Sequence, residues 1–132
     1  CNVYTPPVEY SRFTIRSATI SDLPSVMNII DGSMLQLDLE IVQSRISSEE
    51  ILVAESPETI LGILVSTENT IEAIAVRSKR RHQGIGSALV KTAAKNSNEP
   101  LIAEFDKESL QFYQKLGFSI SSNTDGRYLG SY

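Results

Sequence analysis

A strand-like segment ending Ile74-Ala75-Val76 runs into Arg77-Ser78-Lys79-Arg80-Arg81-His82-Gln83-Gly84-Ile85-Gly86-Ser87 and then into a helical pattern. Four of the chain's 12 basic side chains stand at Arg77, Lys79, Arg80 and Arg81, beside the single histidine, His82. This order of elements suits an anion. The first turn of a helix leaves about four N–H groups without an intrahelical acceptor, and the helix dipole places partial positive charge there. Glycines let a ligand approach the backbone without meeting a Cβ. Phosphate or pyrophosphate is the ligand such a cradle takes; the plainer alternative is a solvated basic loop. Two familiar phosphate motifs do not fit. Leu89 stands where a dinucleotide fingerprint needs its third glycine, and no glycine precedes Lys91 as a P-loop requires.

The rest of the chain has the opposite charge. The 132 residues carry 12 Lys and Arg against 16 Asp and Glu, a formal net charge of -4. From Asp31 to Glu72 there are nine acidic residues and one basic one, Arg45. An acidic chain with one basic knot points to a small anion rather than a polymer, and excludes a broad nucleic-acid or anionic-membrane surface. The longest apolar stretch, Ile60 to Val65, is far short of the ~20 residues that span a bilayer. One cysteine, Cys1, forms no internal disulfide, and there is no metal-ligand spacing. With no signal-peptide pattern, a cytoplasmic, reducing setting is expected.

The elements that must position the basic knot are legible from periodicity. Residues 1–12 read as an extended arm with Pro6-Pro7 opposing helix, and residues 13–132 as one domain of ordinary size. Phe13-Thr14-Ile15-Arg16 alternates as a half-buried strand. Ser21 or Asp22 caps a helix with Pro24 in its first turn; Leu23, Val26, Met27, Ile30 and Met34 form its apolar face. A shorter helix follows from Leu39 to Ile46, with Ile41, Val42 and Ile46 on one face. Ile51–Ala54, Thr59–Ser66 and Thr70–Val76 form an antiparallel meander with turns at Ser56-Pro57-Glu58 and Glu68-Asn69. A helix from Ser87 to Lys95 leads to a strand, Leu101–Phe105, parallel to Thr70–Val76 by a crossover. Asp106 caps a helix from Lys107 to Leu116 that Gly117 ends. Strands from Phe118 and Arg127 form a hairpin about Thr124-Asp125-Gly126.

Two blocks in this order resemble a known family. Arg81-x-x-Gly84-x-Gly86 after a strand is similar to the acetyl-CoA signature of the GNAT superfamily of N-acetyltransferases. Asp106-x-x-Ser109-x-x-Phe112-Tyr113-x-Lys115-Leu116-Gly117-Phe118 resembles its second conserved block, with Asp106 where Asn is usual. The resemblance spans roughly residues 13–132 and is weakest before residue 50. It implies an α/β fold of the mixed α+β kind: a mostly antiparallel sheet with a parallel, splayed central pair and helices on both faces.

The resemblance also implies roles. Backbone groups of Ile74, Ala75 and Val76 bind the pantetheine arm of acetyl-CoA as an added strand. The backbone from His82 through Gln83, Gly84, Ile85 and Gly86 to Ser87 holds the pyrophosphate, helped by Arg81, with Phe112 lining the cofactor. Tyr113 is the general acid, a phenol of pKa ~10 protonating the leaving thiolate; the alternative is a plain core aromatic. For a general base, Glu72 lies mid-strand, where a buried carboxylate is costly without a role; Glu104 is the rival, and a water chain without a side-chain base is a third route. The expected activity is direct acetyl transfer to a primary amine, with an acyl-CoA-binding sensor as the alternative. The acidic stretch favours a cationic acceptor. The expected assembly is a monomer or homodimer.

Overall fold

The computed structural model describes residues 8–9, 13–32, 37–77, 84–97, 99–122 and 126–132. Strands β1 (Val8–Glu9) and β2 (Thr14–Ser17) precede a 3-10 turn (Ile20–Asp22) and helices α1 (Leu23–Asp31) and α2 (Leu39–Ser47). The meander β3 (Ile51–Glu55), β4 (Ile60–Thr67) and β5 (Thr70–Val76) follows, then α3 (Ile85–Lys95), β6 (Ile102–Phe105), α4 (Lys107–Leu116), β7 (Ser119–Ser122) and β8 (Tyr128–Ser131). The sheet order is β1-β2-β3-β4-β5-β6-β8-β7. Every neighbouring pair is antiparallel except β5 with β6. This is the mixed sheet with helices on both faces that the two motif blocks imply. Val8–Glu9 adds β1 at the edge of the sheet, and the other residues of the N-terminal arm, 1–7 and 10–12, lie outside the described residues. The return strand β8 inserts between β6 and β7, a detail of order the hairpin signal does not carry.

Alternation divides the core in two, because successive strand side chains face opposite sides. Leu52, Ala54, Leu61, Leu64 and Ile71 meet Ile85 and Leu89 of α3 and Tyr113 of α4 on one face. Ile51, Val53, Ile63, Val65 and Ala73 meet Val26, Ile29 and Ile30 of α1 and Val42 and Ile46 of α2 on the other. No helix among the described residues is long and apolar enough to cross a membrane.

Several local expectations need correction. Ile41 is exposed, because α2 lays only Val42 and Ile46 on the sheet. Ser21 is exposed, and the Asp22 carboxylate makes no capping bond to α1. Instead Asp22 accepts from the Thr19 N–H at 2.8 Å and from two nitrogens of Arg16 at 2.8 and 2.9 Å. The Arg16 bond, first among the causes, pulls the Asp22 pKa down to about 2. Asp106 occupies the N-cap of α4, but its carboxylate makes no capping bond; its carbonyl accepts from the Ser109 N–H. Met34 and the turn residues Thr124 and Asp125 lie outside the described residues.

One feature of the sheet matters most for function. The parallel ladder between β5 and β6 has only two rungs, Thr70↔Ile102 and Ile71↔Ala103. Asn69 fixes where it starts: its carbonyl accepts from the Ile102 N–H at 2.7 Å and its Nδ2 donates to the Pro100 carbonyl at 2.9 Å. Beyond Ile71 the two strands part.

Candidate active site

On the β6 side of the sheet, Ile74, Ala75 and Val76 have no partner strand among the described residues. On the other side they pair with Leu64, Ile63 and Gly62 of β4. A half-open ladder presents backbone donors and acceptors to an extended ligand, which adds as a strand would. All three residues are half-buried.

The same strand leads toward the start of α3. Gly84 is its N-cap, with φ +80, in the left-handed region that favours glycine. A Cβ there would meet nothing within 4 Å, so backbone conformation and not crowding calls for glycine. Gly84 supplies no side-chain cap, and the first turn of α3 holds no acidic residue. That helix start is a fitting place for an anion. Gly86 is crowded: a Cβ would lie 3.2 Å from Cε1 and 3.3 Å from Cζ of Phe112. Ile85 is core, its side chain reaching the place over Gly62 where a Cβ would lie 3.2 Å away. Its backbone alone remains for a ligand. Ser87 is half-buried. Arg81, His82 and Gln83 lie outside the described residues, as do Lys79 and Arg80.

Arg77, the described member of the basic knot, has a structural task. Its Nε donates to the Ile60 carbonyl at 2.8 Å and its Nη1 to Asn28 Oδ1 of α1 at 2.7 Å. It therefore ties the end of β5 to β4 and α1.

Tyr113 sits in an aromatic cluster with only 4% of its surface exposed. Its ring stacks on Phe105 of β6 at 4.3 Å and meets Phe112 and Phe118 edge-on, each at 5.0 Å. Burial raises its pKa to about 12. The phenol thus keeps its proton at neutral pH. It is a weaker acid than the ordinary pKa of ~10 suggests.

Glu72 is not the buried mid-strand carboxylate that alternation suggests. Pairing passes from Val65↔Ala73 to Ser66↔Ile71, so Glu72 is the extra residue of a β-bulge. The bulge turns it toward α2, where Arg45 Nε donates to Oε1 at 2.8 Å and Nη2 to Oε2 at 3.1 Å. Its side chain is 33% exposed. The Arg45 fork, ahead of all other causes, holds its pKa below the usual carboxylate range. The parallel register places Glu104 of β6 opposite, at the first rung that does not form. Arg127 lies 3.6 Å from the Glu104 carboxylate. Arg45 is the member of this group that sequence reasoning missed; its one signal is that it is the lone cation of the acidic stretch.

The sequence profile of the acetyltransferase (GNAT) domain matches residues 47–120, more than half of the chain. The chain belongs to the GNAT acetyltransferase family. Its fold is shared with solved structures of that kind. Ard1 from Thermoplasma volcanium superposes with a TM-score of 0.73 at 21% identity, covering 91% of this chain and 95% of that one. A GNAT-family acetyltransferase from Listeria monocytogenes gives 0.77 at 15% identity, covering 96% and 99%. Arabidopsis thaliana Naa50, solved with the bisubstrate analogue CoA-Ac-MVNAL, gives 0.73 at 15% identity, covering 92% and 98%. The matched segment of this GNAT domain contains β5, α3, β6 and α4, and so both motif blocks. Helix α1 and nearly all of α2 lie before it.

Proposed function

We propose that this protein is an acetyl-CoA-dependent N-acetyltransferase that moves the acetyl group directly to a primary amine. The observation that carries the reading is the parting of β5 and β6 after Ile71, which leaves Ile74–Val76 open on one side and leading toward the start of α3, whose N-cap, Gly84, has no side chain to cap it. Backbone groups of Ile74, Ala75 and Val76 hold the pantetheine arm. The N–H groups of Gly84 to Ser87 hold the pyrophosphate, with Arg81, His82 and Gln83 assigned to the same task by the motif. Phe112 fixes the spacing of α3 from α4 through Gly86.

Bound acetyl-CoA supplies an acetyl thioester. The carbon–sulfur bond breaks as the carbon–nitrogen bond forms; the amine sheds a proton and the sulfur gains one. Tyr113 is the donor at the sulfur. With a pKa near 12 it is a weaker acid than a thiol, for which cysteine's ~8.5 is the reference, so its complete proton transfer to the leaving thiolate is uphill. Its contribution is a hydrogen bond to the charge developing on sulfur, with solvent delivering the proton. Glu72, held by Arg45, is a poor base, so the acceptor reacts as its free amine with water accepting the proton. That assignment favours the water route over either carboxylate.

The enclosure of Tyr113 among three phenylalanines favours a second reading, a non-catalytic acyl-CoA-binding domain. Calorimetric titration with acetyl-CoA and with ATP, then an amine panel followed by free-thiol release, separates them. Acetyl-CoA binding with thiol release supports the enzyme. Binding without release on any amine favours the sensor, and no binding at high micromolar acetyl-CoA sinks both.

A further inference from the structure

Between Asp31 and Glu72 the chain carries one cation among nine acidic residues. That cation is Arg45, and the structure places it on the one carboxylate that a bulge turns out of β5, at the point where β5 and β6 begin to part. The fork occupies both oxygens of Glu72. A third contact joins Arg45 to Glu50 at 3.9 Å. Opposite Glu72 on β6, Glu104 has Arg127 beside it. Among the described residues, the two facing carboxylates Glu72 and Glu104 therefore each have a guanidinium beside them, which offsets their charge although the chain around them is acidic.

We propose that Arg45 sets acceptor selectivity by masking Glu72, so that the site takes monoamines or peptide α-amines with uncharged flanks and not polyamines. This rests on the acetyltransferase reading, and it replaces the cationic acceptor that the overall charge suggests. Arg45 acts through Glu72 and is a positioning residue. A merely structural tie between α2 and β5 would alter stability when cut but leave the choice of acceptor alone.

The test compares wild type with Arg45→Gln, Arg45→Lys and the double variant Arg45→Gln/Glu72→Gln, all confirmed folded by thermal melting. The first readout is the kcat/KM ratio for 1,3-diaminopropane over n-propylamine. Arg45→Gln should raise it roughly five-fold, the scale of a partly exposed ion pair. Arg45→Lys should stay near wild type, and the double variant should return to it, which separates Glu72 from Glu50. An unchanged ratio in Arg45→Gln, or a double variant that stays shifted, overturns the proposal. The second readout needs no turnover: backbone amide shifts of Ile71–Ala73 on titrating 1,3-diaminopropane. Shifts in Arg45→Gln but not in wild type or the double variant support the masking even if no amine is acetylated, in which case the transfer reading alone fails. No difference between the variants overturns the masking itself.

Discussion

The Phe112 ring of α4 lies where a Cβ on Gly86 of α3 would reach to 3.2 Å of it. Gly86 and Phe112, 26 positions apart in sequence, therefore bring the two motif blocks into contact. The second glycine of the Gly84-x-Gly86 pair sets how closely α4 approaches the helix start assigned to the pyrophosphate. Gly86→Ala should lower stability by about 1 kcal/mol, because overpacking costs about 1–3 kcal/mol while removing a helical glycine returns about 0.5–1. Gly86→Ala/Phe112→Leu should recover most of the loss in a thermal melt. A single variant as stable as wild type would contradict the spacing argument.

Tyr113→Phe should lower kcat about 100-fold, the low end of what one hydrogen-bond donor to a developing charge contributes, with acetyl-CoA affinity unchanged. Full activity would return Tyr113 to the role of a core aromatic.

The same residue gives an alkaline signature. Burial raises the Tyr113 pKa from 10.0 to about 12. Below pH 10 the phenol is neutral in both states and its contribution is fully present. As pH rises from 10 toward 12 the unfolded chain ionises first, and stability falls by up to about 2 kcal/mol. Urea melts across this range should show the loss in wild type and a shallower one in Tyr113→Phe.

The acid side has a different origin. Asp22, drawn to about 2 from 3.8 by the Arg16 fork, stabilises the fold above pH 3.8. That contribution is lost as pH falls from about 4 through 2. For this largely buried pair, with side chains 22% and 11% exposed, it amounts to about 2 kcal/mol. Asp22→Asn should be less stable at pH 7 and show a flatter acid limb in denaturant melts. An unchanged limb would show that other carboxylates dominate acid unfolding.

If water and not Glu72 takes the amine proton, the acid limb of kcat/KM should move with the pKa of the acceptor across an amine series. Glu72→Gln should leave each limb in place. A limb fixed at one pH for every amine, and lost in Glu72→Gln, would restore Glu72 as the base.

What was legible in the sequence was what local physics decides. The bounds of β5 follow from the turn at Glu68-Asn69 and the alternation after it. Those of α4 follow from Asp106 and Gly117, even though the Asp106 carboxylate does not cap. What was hidden depends on distant partners. Glu72 looks like an ordinary mid-strand residue until the bulge against Val65 and Ser66 turns it to Arg45, 27 positions away. Arg77 reads as part of a phosphate loop until Ile60 and Asn28 claim its guanidinium. Tyr113 keeps its assigned place in the motif, but its acidity is set by Phe105, Phe112 and Phe118, which only packing brings together.

The central claim is that acetyl-CoA adds along the open side of β5 with its phosphates at the start of α3. Amide hydrogen exchange with and without saturating acetyl-CoA tests it most directly. The account predicts slowed exchange in residues 74–76 and 84–87, with no such change on adding ATP. Unchanged exchange in both segments while acetyl-CoA is bound would contradict it.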